Sequence, residues 1–409
     1  MRNTQTTRQT SSTLTALALS MALQTTGFVL ILPLFARRFD SFGAGVEALS
    51  ISAMAYALTS TITAPLMGSL ADRFGRRPII LIGFAAYVMA FSGYLFATST
   101  WMLIVLRGLA GIFTAGLLPA MISSVGDLAP QDRRARWIGI VNGGGSVGWI
   151  IGPLLGGILY DRFGYAIPFI VSIVLAMSAL LLAVFLVPET RTHSALPNQP
   201  CLVWKAGFQS LRAALPHSLP TFFLLMLISF GVLFAWAFIE PQFMFYAYDD
   251  LNWSSTQLGL IMSTYGVAFT FGEFALSQLS DRLGRKPVII IGLALFSAQF
   301  VGLALFRNVT PIVVSFILAG LGNALYDPAL SAHLLDITPP EHKARIMGLK
   351  VTVGSLGNLL GPALVVLIAP YVNPRGVFLV AAILVLLLTF ASSMTLRVSR
   401  SAEAVQYPV

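Results

Sequence analysis

The sequence predicts an all-α integral membrane protein, with twelve transmembrane helices in two pseudo-symmetric six-helix bundles. Three observations lead there. Of 409 residues, 56% are hydrophobic and only 10% charged, with a mean hydropathy of +0.82, whereas soluble domains carry about 25% charged residues. The apolar residues gather into twelve runs, each near the roughly 20 residues that cross a bilayer. The second half of the chain also repeats the first at a shift of 209 residues.

The first run, 14–36, follows a polar, Thr-rich start, Met1 to Thr13, with no small-residue cleavage site, and is read as a retained helix rather than a signal peptide. Runs at 47–70, 78–97, 101–124, 137–159 and 165–187 complete the first domain, 1–187. Segment 188–218 mixes Pro188, Pro197, Pro200 and Pro216 with Glu189, Arg191, Lys205 and Arg212; its character predicts a cytoplasmic linker with a short helix on the membrane surface. Runs at 219–245, 256–279, 286–306, 310–333, 345–369 and 375–396 form the second domain, 219–409, which ends in a short tail. Twelve spans leave no room for a large extramembrane domain.

Sorting the 25 basic residues by side puts 18 on the face of the N-terminus and five on the other, leaving Arg107 and Lys350 inside spans. Positive loops stay cytoplasmic, so both termini are expected inside the cell, with the chain in the cell (inner) membrane. The net charge of +9 sits in short loops facing lipid headgroups, which argues against nucleic acid as a partner. Cys201 stands alone, so neither a disulfide framework nor a cysteine metal site is predicted. No GxxxxGK[ST] loop occurs, so ATP is not expected to drive the protein. No catalytic residue and no enzyme activity are predicted.

The repeat pairs residues that chance apolar similarity would not. Tyr56 falls on Tyr265, Asp72 on Asp281, Gly75 on Gly284, Gly111 on Gly320, Pro119 on Pro328, Asp127 on Asp336, Arg136 on Arg345 and Gly148 on Gly357. Parallel six-helix repeats are a transporter architecture, with the site at their interface.

Between spans 2 and 3 stands Gly68-Ser-Leu-Ala-Asp72-Arg73-Phe-Gly75-Arg76-Arg77-Pro78; between spans 8 and 9 stands Ser277-Gln-Leu-Ser-Asp281-Arg282-Leu-Gly284-Arg285-Lys286-Pro287. This loop resembles the signature of the major facilitator superfamily. The resemblance implies a conformational latch, in which the acid pairs with helix 11 and the loop bases pair with an acid ending helix 4, here Asp127, with Asp336 as its repeat mate. Span 5 carries Gly148, Gly152-Pro153 and Gly156-Gly157, similar to the antiporter motif of the same superfamily. Small residues every four positions let helices approach closely in lipid, and a proline bends the helix; plain helix packing is the alternative reading. In the repeat, Gly354, Gly357 and Gly361-Pro362 persist, but Val365 and Val366 replace the last two glycines. Span 4 resembles the motif in which a buried arginine, here Arg107, takes part in proton coupling, with Ala110 where the superfamily favours glutamine. The resemblance is to the twelve-helix drug:proton antiporter branch.

An ionisable side chain inside a span is costly, about 2.5–3.5 kcal/mol for arginine on insertion scales, and is a functional candidate by default. Besides Arg107, the candidates are Glu240, Glu273 and Asp327. Asp327 lies 11 residues, about three helical turns, beyond Phe316, the repeat mate of Arg107. It is therefore expected to aim where Arg107 aims. Glu240 precedes Pro241 between Trp236 and Phe243, and Glu273 shares a face with Met262. Gln24, Thr25, Thr26 and Gly27 stand where many exporters of this branch place an acid, which moves the expected proton work to the second half. Tyr56, Asn142, Trp149, Tyr265, Asn323 and Asn358 are further cavity candidates.

The sequence thus points to a monomeric, proton-coupled antiporter that exports an amphipathic small molecule, draws energy from the proton gradient and needs no cofactor. A dedicated carrier for a sugar, amino acid or siderophore is one alternative. A non-transporting membrane scaffold or sensor is the other.

Overall fold

The computed structural model describes residues 2–190, 218–276, 279–369 and 371–396, without the side chains of residues 2–10, 281, 341 and 344. Most of the expected linker, Cys201, Asp281's side chain and the C-terminal tail lie outside the described residues. Among those described, all regular structure is helical, and twelve helices are long and apolar enough to cross a membrane. They are α1 (Ser11–Ile31), α2 (Val46–Phe74), α3 (Arg76–Phe96), α4 (Thr100–Leu128), α5 (Gln131–Phe163), α6 (Ala166–Leu186), α7 (Leu219–Asp250), α8 (Ser255–Leu276), α9 (Arg285–Leu305), α10 (Val309–Asp336), α11 (Arg345–Ile368) and α12 (Pro374–Thr395).

Prolines explain two breaks within the predicted runs. The first run breaks after Ile31, and a short helix, Leu34–Asp40, resumes beyond Pro33, whose ring leaves one amide bond unmade. α4 is interrupted at Ala115 and Gly116, because Pro119 has no N–H to give the Ala115 carbonyl. α7 outlasts its run, ending beyond Pro241 in a wide turn, Tyr246–Asp250, closed by Leu251 N–H donating to the Tyr246 carbonyl at 3.0 Å.

Two compact units emerge. One joins α1–α6 with Glu240–Gly266 and Pro362–Tyr371; the other holds α7 up to Ile239, Val267–Gly361 and the chain from Val372. In the first, α1 runs along α5 and α6, α2 packs on α4, and α3 packs on α4 and α6. In the second, α9 packs on α10 and α12.

Candidate functional site

In the first unit Arg107 is buried on α4. Close packing of α2 on α4 fixes it: Thr59 and Thr63 of α2 donate hydroxyl hydrogen bonds to the carbonyls of Gly108 (2.9 Å) and Ile112 (3.3 Å). A side chain at Gly111 would strike the backbone of Tyr56. Arg107 is only 5% exposed. Its guanidinium carbon lies 4.3 Å from the ring centre of Phe35, 5.6 Å from Tyr56 and 5.7 Å from Phe28, so aromatic faces take up part of its charge. Its Nε is buried without a hydrogen-bond partner.

Glu240 opens onto the same recess, which is lined by Leu32, Phe35, Leu49, Ala53, Arg107, Pro241 and Met244. It has room for about one water molecule, well short of a drug-sized site. The recess suits a proton and a small polar group, not a whole amphipathic molecule. The Arg107 charge acts on the Glu240 carboxylate. Tyr56 OH lies 3.3 Å from Thr114 Oγ1 beside them.

Asp327 belongs to the other unit and has a partner of its own. Lys350 Nζ of α11 donates to Asp327 Oδ1 at 2.6 Å and to Ser331 Oγ at 2.7 Å. The expectation that Asp327 aims where Arg107 aims did not include this partner: a lysine inside a span was the available signal, since a buried cation demands a counter-ion. Glu273 is exposed on α8 and feels the Asp327 charge. Removing Lys350 strands a half-exposed acid. Lys350→Met is expected to cost about 1–2 kcal/mol, discounted from the 3–5 of a fully buried pair. Thermal unfolding checks it: Lys350→Met lowers Tm, and adding Asp327→Asn restores most of the loss.

The two latch loops hold their bases alike. Arg76 Nε lies 3.4 Å from Asp127 Oδ2, and Arg285 Nε lies 3.2 Å from Asp336 Oδ2, one repeat later. Each loop turns on a left-handed glycine, Gly75 at φ 108° and Gly284 at φ 88°. The ion-pair partner of Asp72 is Arg76 in the same loop, at 2.9 Å. Glu189, just past α6, accepts the backbone N–H of Arg76 (2.9 Å) and Arg77 (3.2 Å) and so caps α3; the sequence reading missed it. Its signal was an acid directly after a span, facing a basic loop. Arg73 packs over the Phe74 ring, and Gly68 has open space around it. Arg282 is exposed.

The span-5 glycines serve two neighbours. Gly148, Gly152 and Gly156 face α1: an added Cβ at Gly148 would sit 2.7 Å from Thr26 N, and one at Gly156 would collide with the Leu30 carbonyl. Pro153 and Gly157 face α8, where Gly259 meets the Pro153 carbonyl and Gly157 meets the Ser255 carbonyl. In the repeat, Gly357 and Gly361 bring α11 against the α7 backbone at Phe230 and Phe238.

The remaining cavity candidates scatter. Gln24 is buried beside Thr25, while Phe243 and Met262 are packed in the core. Asn142 and Asn358 are exposed, and Trp149, Trp236, Tyr265 and Asn323 are half-buried.

Comparison with known proteins agrees with the duplication. A sequence profile of the Major Facilitator Superfamily matches twice, over residues 16–247 and 221–408. Among curated relatives, the class H tetracycline resistance protein of Pasteurella multocida is 27% identical over 83% of this chain and 84% of its own. The multi-drug resistance efflux pump PmrA homolog of Lactococcus lactis is 29% identical over 84% of each chain. In fold, the chain is similar to the nucleoside transporter NupG, with a TM-score of 0.78 at 15% identity, covering 94% of this chain and 100% of that one. It is also similar to a bacterial homologue of the lysosomal transporter Spinster, with a TM-score of 0.74 at 18% identity, covering 95% and 98%. The chain belongs to the major facilitator superfamily, a family of membrane transporters rather than enzymes.

Proposed function

We propose that this transporter is a proton-coupled antiporter that exports amphipathic small molecules by alternating access between its two six-helix halves, and that Glu240 carries the proton opposite Arg107. One observation carries the residue assignment: Glu240 and Arg107 share a recess of proton-work size. A guanidinium near a carboxylate favours its charged form, so gain or loss of a proton on Glu240 changes its interaction with Arg107. Asp327 is the poorer carrier because Lys350 already neutralises it. The complete glycine-proline motif of α5 and the efflux proteins among the relatives support export of drug-like molecules. In this reading the protein is a monomer in the cell membrane, both termini are cytoplasmic, and the proton gradient supplies the energy without a cofactor.

The test uses purified protein in liposomes that hold a pH-sensitive dye. Lipophilic cations, neutral amphiphiles, sugars and amino acids are added in turn under an imposed proton gradient. Proton flux evoked by several unlike amphiphiles is expected. Flux with one metabolite class alone would establish a dedicated carrier, and silence from folded protein would refute proton-coupled export.

The latch carries its own expectation. Both Asp72 and Asp127 are substantially exposed, their side chains 67% and 36%, and exposed pairs contribute about 0.2–1 kcal/mol each. Such pairs can break in every cycle. Asp72→Asn is therefore expected to slow turnover several-fold while leaving substrate affinity within about twofold, as read from initial rates and equilibrium binding.

A further inference from the structure

A second copy of the latch motif lies inside the first half of the chain. Asp161-Arg162-Phe163-Gly164 reproduces Asp72-Arg73-Phe74-Gly75 letter for letter. Both copies end a span, α5 and α2, and both turn on a left-handed glycine, Gly164 at φ 77° and Gly75 at φ 108°. Three spans separate them, so they end at opposite membrane faces. This is the relation expected of inverted three-helix repeats within a six-helix half.

The Asp161 copy is engaged. Its two carboxylate oxygens accept the first backbone N–H groups of α8, Ser255 N at 3.1 Å and Thr256 N at 2.8 Å. Those amides have no partner within the helix, and the positive end of the helix dipole adds to the attraction. Behind this contact runs a seam of glycines packed on backbone, in which Gly157 meets the Ser255 carbonyl, Gly259 the Pro153 carbonyl and Gly266 the Trp149 carbonyl. Leu154 N–H donates to Ser263 Oγ at 3.1 Å along it. Beside it, Arg37 of the short helix stacks 4.1 Å over Tyr248 and donates to the Trp253 carbonyl, while Tyr248 OH donates to the Pro33 carbonyl at 3.0 Å. All these residues belong to one compact unit.

We propose that Asp161 is a second latch, at the face opposite the Asp72 loop, which clasps the start of α8 to the end of α5 and must release once per transport cycle. The seam supplies mostly glycine-to-backbone contact, which a slide of α8 can break with little side-chain rearrangement. The carboxylate supplies the directional hold. The inference needs alternating access but not proton coupling, so it can fail or stand apart from the assignment of Glu240.

The test reads accessibility without substrate or gradient. Met262, on α8 and 3% exposed, is replaced by cysteine, with Cys201 replaced by serine, in wild-type and Asp161→Ala backgrounds. A membrane-impermeant maleimide is then applied from each face of reconstituted vesicles. Asp161→Ala is expected to raise labelling about tenfold from the face opposite the N-terminus only, which corresponds to one tenfold population shift, and to speed amide exchange in residues 253–260. Asp161→Asn, which keeps one acceptor oxygen, is expected to fall between. Equal labelling in all backgrounds would overturn the proposal. So would a rise from both faces, or faster exchange throughout the chain, since either marks general loosening rather than a released latch.

Discussion

Glu240→Gln is expected to reduce substrate-evoked proton flux about 100-fold or more, the scale on which a positioned proton-transfer group acts, while leaving the protein folded. Glutamine keeps the shape and a hydrogen-bonding oxygen but has no proton to release. Because glutamine is nearly isosteric with glutamate, the carboxamide fits without repacking, and because the recess shared with Arg107 is small, binding of an amphipathic substrate elsewhere in the transporter is expected to persist. Asp327→Asn is the control. Asp327 is already paired with Lys350, so its neutralisation is expected to cost stability more than coupling. Loss of coupling in Asp327→Asn with none in Glu240→Gln would reverse the assignment. Flux and equilibrium binding measured on the same preparations separate the two.

Valine at Gly156 or Gly157 is expected to abolish transport, for different reasons. At Gly156 the new Cβ meets the Leu30 carbonyl of α1, and backbone cannot swing aside as a side chain can. Overpacking of this kind costs about 1–3 kcal/mol and often more, so Gly156→Val is expected to lower Tm as well as activity. At Gly157 the obstruction is Ser255 at the start of α8. There the helices can part, so this variant is expected to fold with the α5–α8 seam held open. Gly354→Val in the repeat is the contrast. Its Cβ would first meet Leu233 Cδ1, the far end of a flexible side chain, and most activity is expected to remain. Thermal unfolding and transport assays on the three variants check the order.

Sequence made the architecture legible because membrane spans are long, apolar and bounded by charge, and because glycine, proline and charged residues repeat in one register. The family resemblance implied that the loop bases meet Asp127, the register named Asp336 as its mate, and Arg76 and Arg285 make those pairs. What it hid were partners brought together by packing. Nothing in the spacing of Arg107 and Glu240 places both in one recess, because α4 and α7 lie in different repeats. Symmetry pointed to Asp327, a candidate alongside Glu240, and the repeat has diverged beside it: Val141 of the first half is Lys350 in the second, and that lysine pairs with Asp327. The helix breaks at Pro33 and Ala115 were likewise invisible to hydropathy, which registers apolar length but not a missing amide.

The most direct test of the central claim reverses the coupling. Liposomes without a starting pH difference are loaded with a transported amphiphile and diluted, so that only the substrate gradient supplies energy. An antiporter must move protons against the substrate flow, and the interior is expected to acidify as substrate leaves, with the signal lost in Glu240→Gln. Substrate efflux with no pH change, or with protons leaving alongside it, would contradict antiport and with it the role assigned to Glu240.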